Sequence, residues 1–144
     1  MLRTRGGPMP ARAIVAEPPM VIGIGLDLVE RARVERALAR YGERFVRKLM
    51  DPPEEAALPP GGPERGLALA LAVAAKEAAS KALGTGWSRG VRWRDVVVSI
   101  GGEPAVRLEG RAAEVARELG SSGLSRLRLE VRGPLVVGEF WLLS

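Results

Sequence analysis

The chain has 144 residues, the length of one domain with one core, and carries 22 Lys and Arg against 17 Asp and Glu, with no cysteine and no histidine. Those two absences exclude a disulfide framework, thiolate chemistry, the usual triad base and the usual zinc ligands. Any catalysis is left to carboxylates, lysines, backbone groups and a hard cation such as magnesium.

The net charge of +5 asks for an anionic partner: a phosphorylated cofactor, an acidic protein, nucleic acid or a membrane surface. Residues 1–19 hold Arg3, Arg5, Arg12, four prolines and an apolar patch too short for a signal-peptide core. They read as a disordered extension, or as an over-long start with Met20 as the first residue, ahead of one domain over 20–144. No apolar run reaches transmembrane length, so a cytoplasmic protein without a membrane partner is expected.

Residues 20–26 form a short apolar, β-branched run, predicted to be a buried strand with Asp27 at its end. Residues 30–50 read as a helix with Val34, Leu38, Tyr41, Phe45 and Leu49 on one face, and Gly42 as a possible break. Residues 51–63, rich in Pro and Gly, read as a loop with at most one helical turn. A strong Ala- and Leu-dense helix follows over 64–83 and stops before Gly84. Strands are predicted at 95–100 and 105–109, a short helix at 111–119, a half-exposed strand at 124–132 and a last strand at 135–143. The fold class is α+β: one mostly antiparallel sheet packed against helices.

Two segments carry candidate chemistry. In residues 74–86, Glu77 and Lys81 are i,i+4 neighbours with Ser80 beside them. A surface pair is the bland alternative, but the Ala and Leu flanks suggest burial, and a buried carboxylate needs a cation. Lys48, Lys76 and Lys81 are the only lysines among the 22 basic residues, and a lysine is a compact point charge suited to a phosphate oxygen. The turn Gly84, Thr85, Gly86 offers backbone amides and close approach to a ligand, or else simply stops the helix. In residues 23–30, Asp27 at a strand end is either a metal ligand or a helix N-cap. The glycines there do not make a dinucleotide fingerprint.

Taken together, the stretches Gly23-Ile-Gly-Leu-Asp27-Leu-Val-Glu30 and Ala74-Ala-Lys-Glu77-Ala-Ala-Ser-Lys81-Ala-Leu-Gly-Thr-Gly86 resemble the paired motifs of the small, holo-[acyl-carrier-protein]-synthase type of 4′-phosphopantetheinyl transferase. Arg44-Phe45, Trp93 to Val96 and Gly102 to Pro104 extend the resemblance over about residues 20–120. The resemblance implies the phosphopantetheinyl-transferase fold, usually as a homotrimer with sites between subunits. It implies transfer of 4′-phosphopantetheine from coenzyme A to a serine of an acidic acyl-carrier protein, with 3′,5′-ADP leaving. Asp27 and Glu77 would hold Mg2+, with Lys81 beside the phosphates and Glu77 as base, directly or through a bound water. Lys76, Ser80, Lys81, Gly84, Thr85, Gly86 and Pro104 would lie near coenzyme A. Ala72, Val73 and residues 129–134 depart from the family pattern, and Arg92, Arg128 or Arg132 are the candidates to replace lost contacts. Arg33, Arg40 and Arg44, with Arg36 and Arg47, form a one-sign stripe on a continuous helix, where the family docks its carrier protein. Two rivals are a homologue that binds without transfer and a basic nucleic-acid module. The second rests on charge alone, because aromatic interleaving is absent, so no nucleic-acid partner is expected.

Overall fold

The computed structural model describes residue 7 and residues 17–144; most of the expected extension over 1–19 lies outside the described residues. Strand β1 (Val21–Glu30) leads into helices α1 (Arg31–Tyr41), α2 (Glu43–Leu49), α3 (Pro52–Ala56) and the long α4 (Gly62–Ala82). A 3-10 turn (Trp93–Asp95), strands β2 (Val96–Ser99) and β3 (Ala105–Leu108), helix α5 (Gly110–Glu118) and the hairpin β4 (Ser125–Arg132) and β5 (Leu135–Leu143) complete the α+β fold. All strand pairs are antiparallel. They divide into two sheets rather than one, with orders β1-β5-β4 and β2-β3.

The inner face of the larger sheet packs on α4. Strand alternation puts Gly23, Gly25, Asp27 and Val29 on one side of β1, opposite Leu142, Phe140, Gly138 and Val136 of β5. Three of these are glycines for a steric reason. A Cβ on Gly25 would fall 1.7 Å from the Ala78 carbonyl oxygen, one on Gly23 2.2 Å from that of Ala82, and one on Gly138 2.6 Å from that of Ala74. Residues 74, 78 and 82 are one i,i+4 row of α4, so backbone lies directly on backbone along the row. This close approach carries Asp27 to the turn of α4 that holds Glu77 and Lys81.

β1 departs from expectation. It is an edge strand, continues past Asp27 to Glu30, and is buried on one face only. Ile24, Leu26 and Leu28, more than half exposed, point away from α4. The expected helix over 30–50 is two helices, because Gly42 takes a positive φ of 60°. Its N-cap is Glu30, not Asp27, which removes the capping alternative for Asp27. The expected loop after Met50 contains α3, started by a capping box between Asp51 and Glu54.

Lys76 is fully buried on the opposite side of α4 from the sheet's Asp27. Its Nζ lies 3.0 and 2.9 Å from the two Glu54 carboxylate oxygens and also donates to the carbonyls of Trp93 and Val96. Glu54 accepts the Val98 amide at 2.8 Å. Burial pulls the Lys76 ammonium below its ordinary value, and Glu54 opposes that. This pair ties α3, α4 and β2 together.

Candidate functional site

Asp27 and Lys81 meet across the β1–α4 contact. Lys81 Nζ lies 2.7 Å from Asp27 Oδ1 and donates to the Leu26 carbonyl at 3.1 Å. The alternative of a surface pair between Glu77 and Lys81 is not formed; Lys81 bridges from helix to strand instead. Its side chain is half exposed, whereas Asp27 is largely covered. The ammonium therefore stands at an open edge with hydrogens to spare for an incoming anion.

Glu77 lies one turn earlier on α4. Burial pushes its carboxyl above the ordinary value; the Trp87 indole opposes this, the Asp27 charge adds to it, and Lys81 and Arg33 oppose it. A carboxylate that is partly desolvated and set beside a like charge fits a cation between them. Among the described residues no group of three or more His, Cys, Asp or Glu could hold a metal. Two carboxylates nevertheless suit magnesium, which keeps several waters and takes its remaining ligands from substrate phosphates.

Asp27, Glu77 and Lys81 line one end of a cleft of about 960 Å³. Its floor is apolar, with Val34, Phe45, Leu49, Val73 and Trp93, and its rim carries Arg33, Arg44 and Lys48. The break at Gly42 re-aims the expected arginine stripe. Arg33 and Arg44 reach the cleft from two separate helices, while Arg40 lies outside it, stacked over the Tyr41 ring at 5.2 Å. Sequence reasoning missed Tyr41, Lys48 and Trp93 as cleft residues and Trp87 as a neighbour of Glu77. Trp93 lies in a matched motif, and Trp87 carried no signal.

Other expected site residues are placed differently. Lys76 is a correction: buried and bonded to Glu54, it cannot reach a ligand in the cleft. Ser80 is also buried and donates to the Glu77 carbonyl at 2.8 Å. The amides of Gly84 and Gly86 are engaged by the carbonyls of Lys81 and Ser80, so this turn ends α4 and does not present those two donors to a phosphate. Thr85 is buried and bonds to the Gly86 carbonyl. Pro104 lies in a second groove with Arg126, Arg128 and Trp141, apart from the Asp27 cleft within one chain. Of the arginines considered as replacements, Arg92 bonds Asp95 and Arg132 bonds Glu130.

Known proteins with this arrangement share a family. A model described as the 4′-phosphopantetheinyl transferase superfamily matches residues 23–131. The chain is 50% identical over 105 residues to the holo-[acyl-carrier-protein] synthase of Halorhodospira halophila, covering 72% of this chain and 82% of that one. The solved holo-[acyl-carrier-protein] synthase of Neisseria meningitidis is 28% identical with a TM-score of 0.75, over 87% of this chain and 99% of that one. That of Bacillus anthracis, solved in complex with CoA (3′,5′-ADP), is 26% identical with a TM-score of 0.68, over 87% and 98% of the two chains. The matched span contains most of β1 and all of α4, with Gly23 and Gly25 that bring them together and the three charged residues at their junction, and the chain belongs to the 4′-phosphopantetheinyl transferase superfamily.

Proposed function

We propose that this protein transfers 4′-phosphopantetheine from coenzyme A to a serine of an apo-acyl-carrier protein, releasing 3′,5′-ADP. The observation that carries the reading is the convergence of Asp27, Glu77 and Lys81 at one end of the cleft, in a chain of this family. Phosphoryl transfer needs positioning and neutralisation of diphosphate charge more than covalent help. Lys81, half exposed beside Asp27, supplies a cation that can follow the phosphate oxygens. Asp27 and Glu77 would hold a magnesium ion, which when bound supplies charge neutralisation at the diphosphate. Glu77, its carboxyl raised by burial, accepts the serine proton as the hydroxyl oxygen forms its bond to the β-phosphorus and the bond to the 3′,5′-ADP oxygen breaks.

Arg33 and Arg44 on the rim steer the acidic carrier protein, and the apolar floor receives the less polar part of a ligand. The exposed apolar row Ile24, Leu26 and Leu28, with Trp141 beside it, is the surface a homotrimer would cover. Such an assembly could bring a neighbour's Pro104 groove against the Asp27 cleft. No helix among the described residues is long and apolar enough to cross a membrane, in keeping with a cytoplasmic enzyme.

The test is the intact mass of an apo-carrier protein after incubation with this protein, coenzyme A and magnesium. A gain of one phosphopantetheine arm is expected. Binding of carrier protein or coenzyme A with no mass gain would establish the non-transferring alternative instead.

A further inference from the structure

Helix α2 supplies Arg44, Phe45, Lys48 and Leu49 to the cleft, yet little within the helix itself fixes where it lies. It has seven residues, too few to hold a helix in water without outside support. It follows α1 through Gly42, whose φ of 60° and ψ of −142° favour glycine, and a Cβ at that joint would meet nothing within 4 Å. Val46 and Leu49 bury one face. The two ends are held by arginines from other elements. At the far end, Arg94 Nε donates to the carbonyls of Arg47 and Met50 at 3.0 and 3.1 Å. At the near end, Arg65 Nη2 in α4 donates to both carboxylate oxygens of Glu43, at 2.9 and 2.8 Å. Arg65 Nη1 donates to the Pro59 carbonyl at 2.9 Å. The Arg65 side chain is only 13% exposed, so its freedom is already lost to packing, and the contact is stiffer than an open surface pair. Glu43 is the first residue of α2 and Arg44 the next. Helix α4 also carries Glu77 and Lys81, so this one contact ties the rim of the cleft to its phosphate end.

We propose that Arg65 is a positioning residue for carrier-protein recognition: by holding Glu43 and the Pro59 carbonyl it fixes the start of α2 on α4. Arg44 and Lys48, i,i+4 neighbours on that helix, are thereby set at one distance from Glu77 and Lys81. The inference rests on the reading of the cationic rim as the surface that receives the carrier protein.

The experiment compares Arg65→Ala, Glu43→Ala and the double variant with the wild type. It measures affinity for an apo-acyl-carrier protein by calorimetric titration, KM for coenzyme A, and amide hydrogen exchange along the chain. Each single variant should speed exchange over residues 43–49 about fivefold or more, with residues 66–82 unchanged. Each should weaken carrier-protein binding about threefold or more and leave KM for coenzyme A within about twofold. The double variant should match Arg65→Ala, because both substitutions delete the same contact. Wild-type affinity for the carrier protein in Arg65→Ala overturns the proposal, and so do losses that multiply in the double variant. Exchange that rises equally over residues 66–82 also overturns it, since Arg65 would then support the whole fold rather than α2. If the wild type binds the carrier protein but adds no arm, the transfer reading fails and the titration still decides. If it binds no carrier protein, this proposal fails with it.

Discussion

Helix α4 has two working faces, and Lys76 and Lys81 mark them. Five positions at about 100° per residue put the two lysines about 140° apart. Lys76 points into the interior, where Glu54 and two carbonyls use its hydrogens. Lys81 points to the open edge of β1, paired with Asp27 but still half exposed. Similar local sequence thus serves two ends: a buried ammonium that fastens α3 and β2 to the helix, and an exposed one with capacity left for an anion. Burial decides the role, because only the exposed lysine can exchange water for a ligand.

The sharpest way to break the comparison is to remove each lysine in turn. Lys76→Ala leaves Glu54 buried and unpaired and should cost about 3–5 kcal/mol in urea unfolding. Lys81→Ala removes an exposed pair and should cost at most about 1 kcal/mol, while transfer falls about a hundredfold or more. Equal stability losses would erase the distinction between the faces.

The sheet side of α4 can be tested through its glycines. Gly25→Ala drives a methyl into the Ala78 carbonyl and must displace backbone, with an expected loss of about 3 kcal/mol. Any Gly25→Ala protein that folds should transfer poorly, since the shift separates Asp27 from Lys81. Wild-type stability in this variant would show that the helix does not rest on the strand as described.

Ionised Glu77 should cost stability. Its folded carboxyl titrates above its unfolded value, mainly through burial, so the folded state binds more protons between the two values. Stability therefore falls as pH rises from the unfolded value through the raised folded one. Without magnesium, Glu77→Gln should match the wild type near pH 4 and exceed it at pH 7 by thermal unfolding, while losing transfer. A wild type more stable than the variant at pH 7 would contradict the sign. The smallest effect is expected at the rim. Arg40→Glu, outside the cleft, should raise KM for the carrier protein by about threefold at low salt, less at high salt, and leave KM for coenzyme A unchanged. Arg33→Glu should disturb both, because Arg33 acts on Glu77 directly.

Much of this was legible in residues. The Ala- and Leu-dense α4, its stop at Gly84 and the final strand over 135–143 lie close to where periodicity and glycine placed them. The motif residues Asp27, Glu77 and Lys81 do converge. What stayed hidden depended on tertiary packing. Ile24, Leu26 and Leu28 look like core in a sequence, yet β1 turns them outward because its other face is occupied by the α4 backbone. Helical phase separates Lys76 from Lys81 but cannot say which side meets Glu54, and Glu54 came from a segment that reads as loop. The arginine stripe assumed one helix, and the positive φ of Gly42 divided it. Trp87 belongs to no motif, and its stack on Trp93 depends on tertiary packing.

The central claim is that Asp27, brought onto α4 by the glycines of β1, works with Glu77 and Lys81 on the diphosphate of coenzyme A. The most direct measurement is the rate at which Asp27→Asn forms holo-carrier protein, followed by intact mass at saturating coenzyme A, carrier protein and magnesium. A loss of about a hundredfold or more in a folded variant is predicted. A rate within about threefold of wild type would contradict the account.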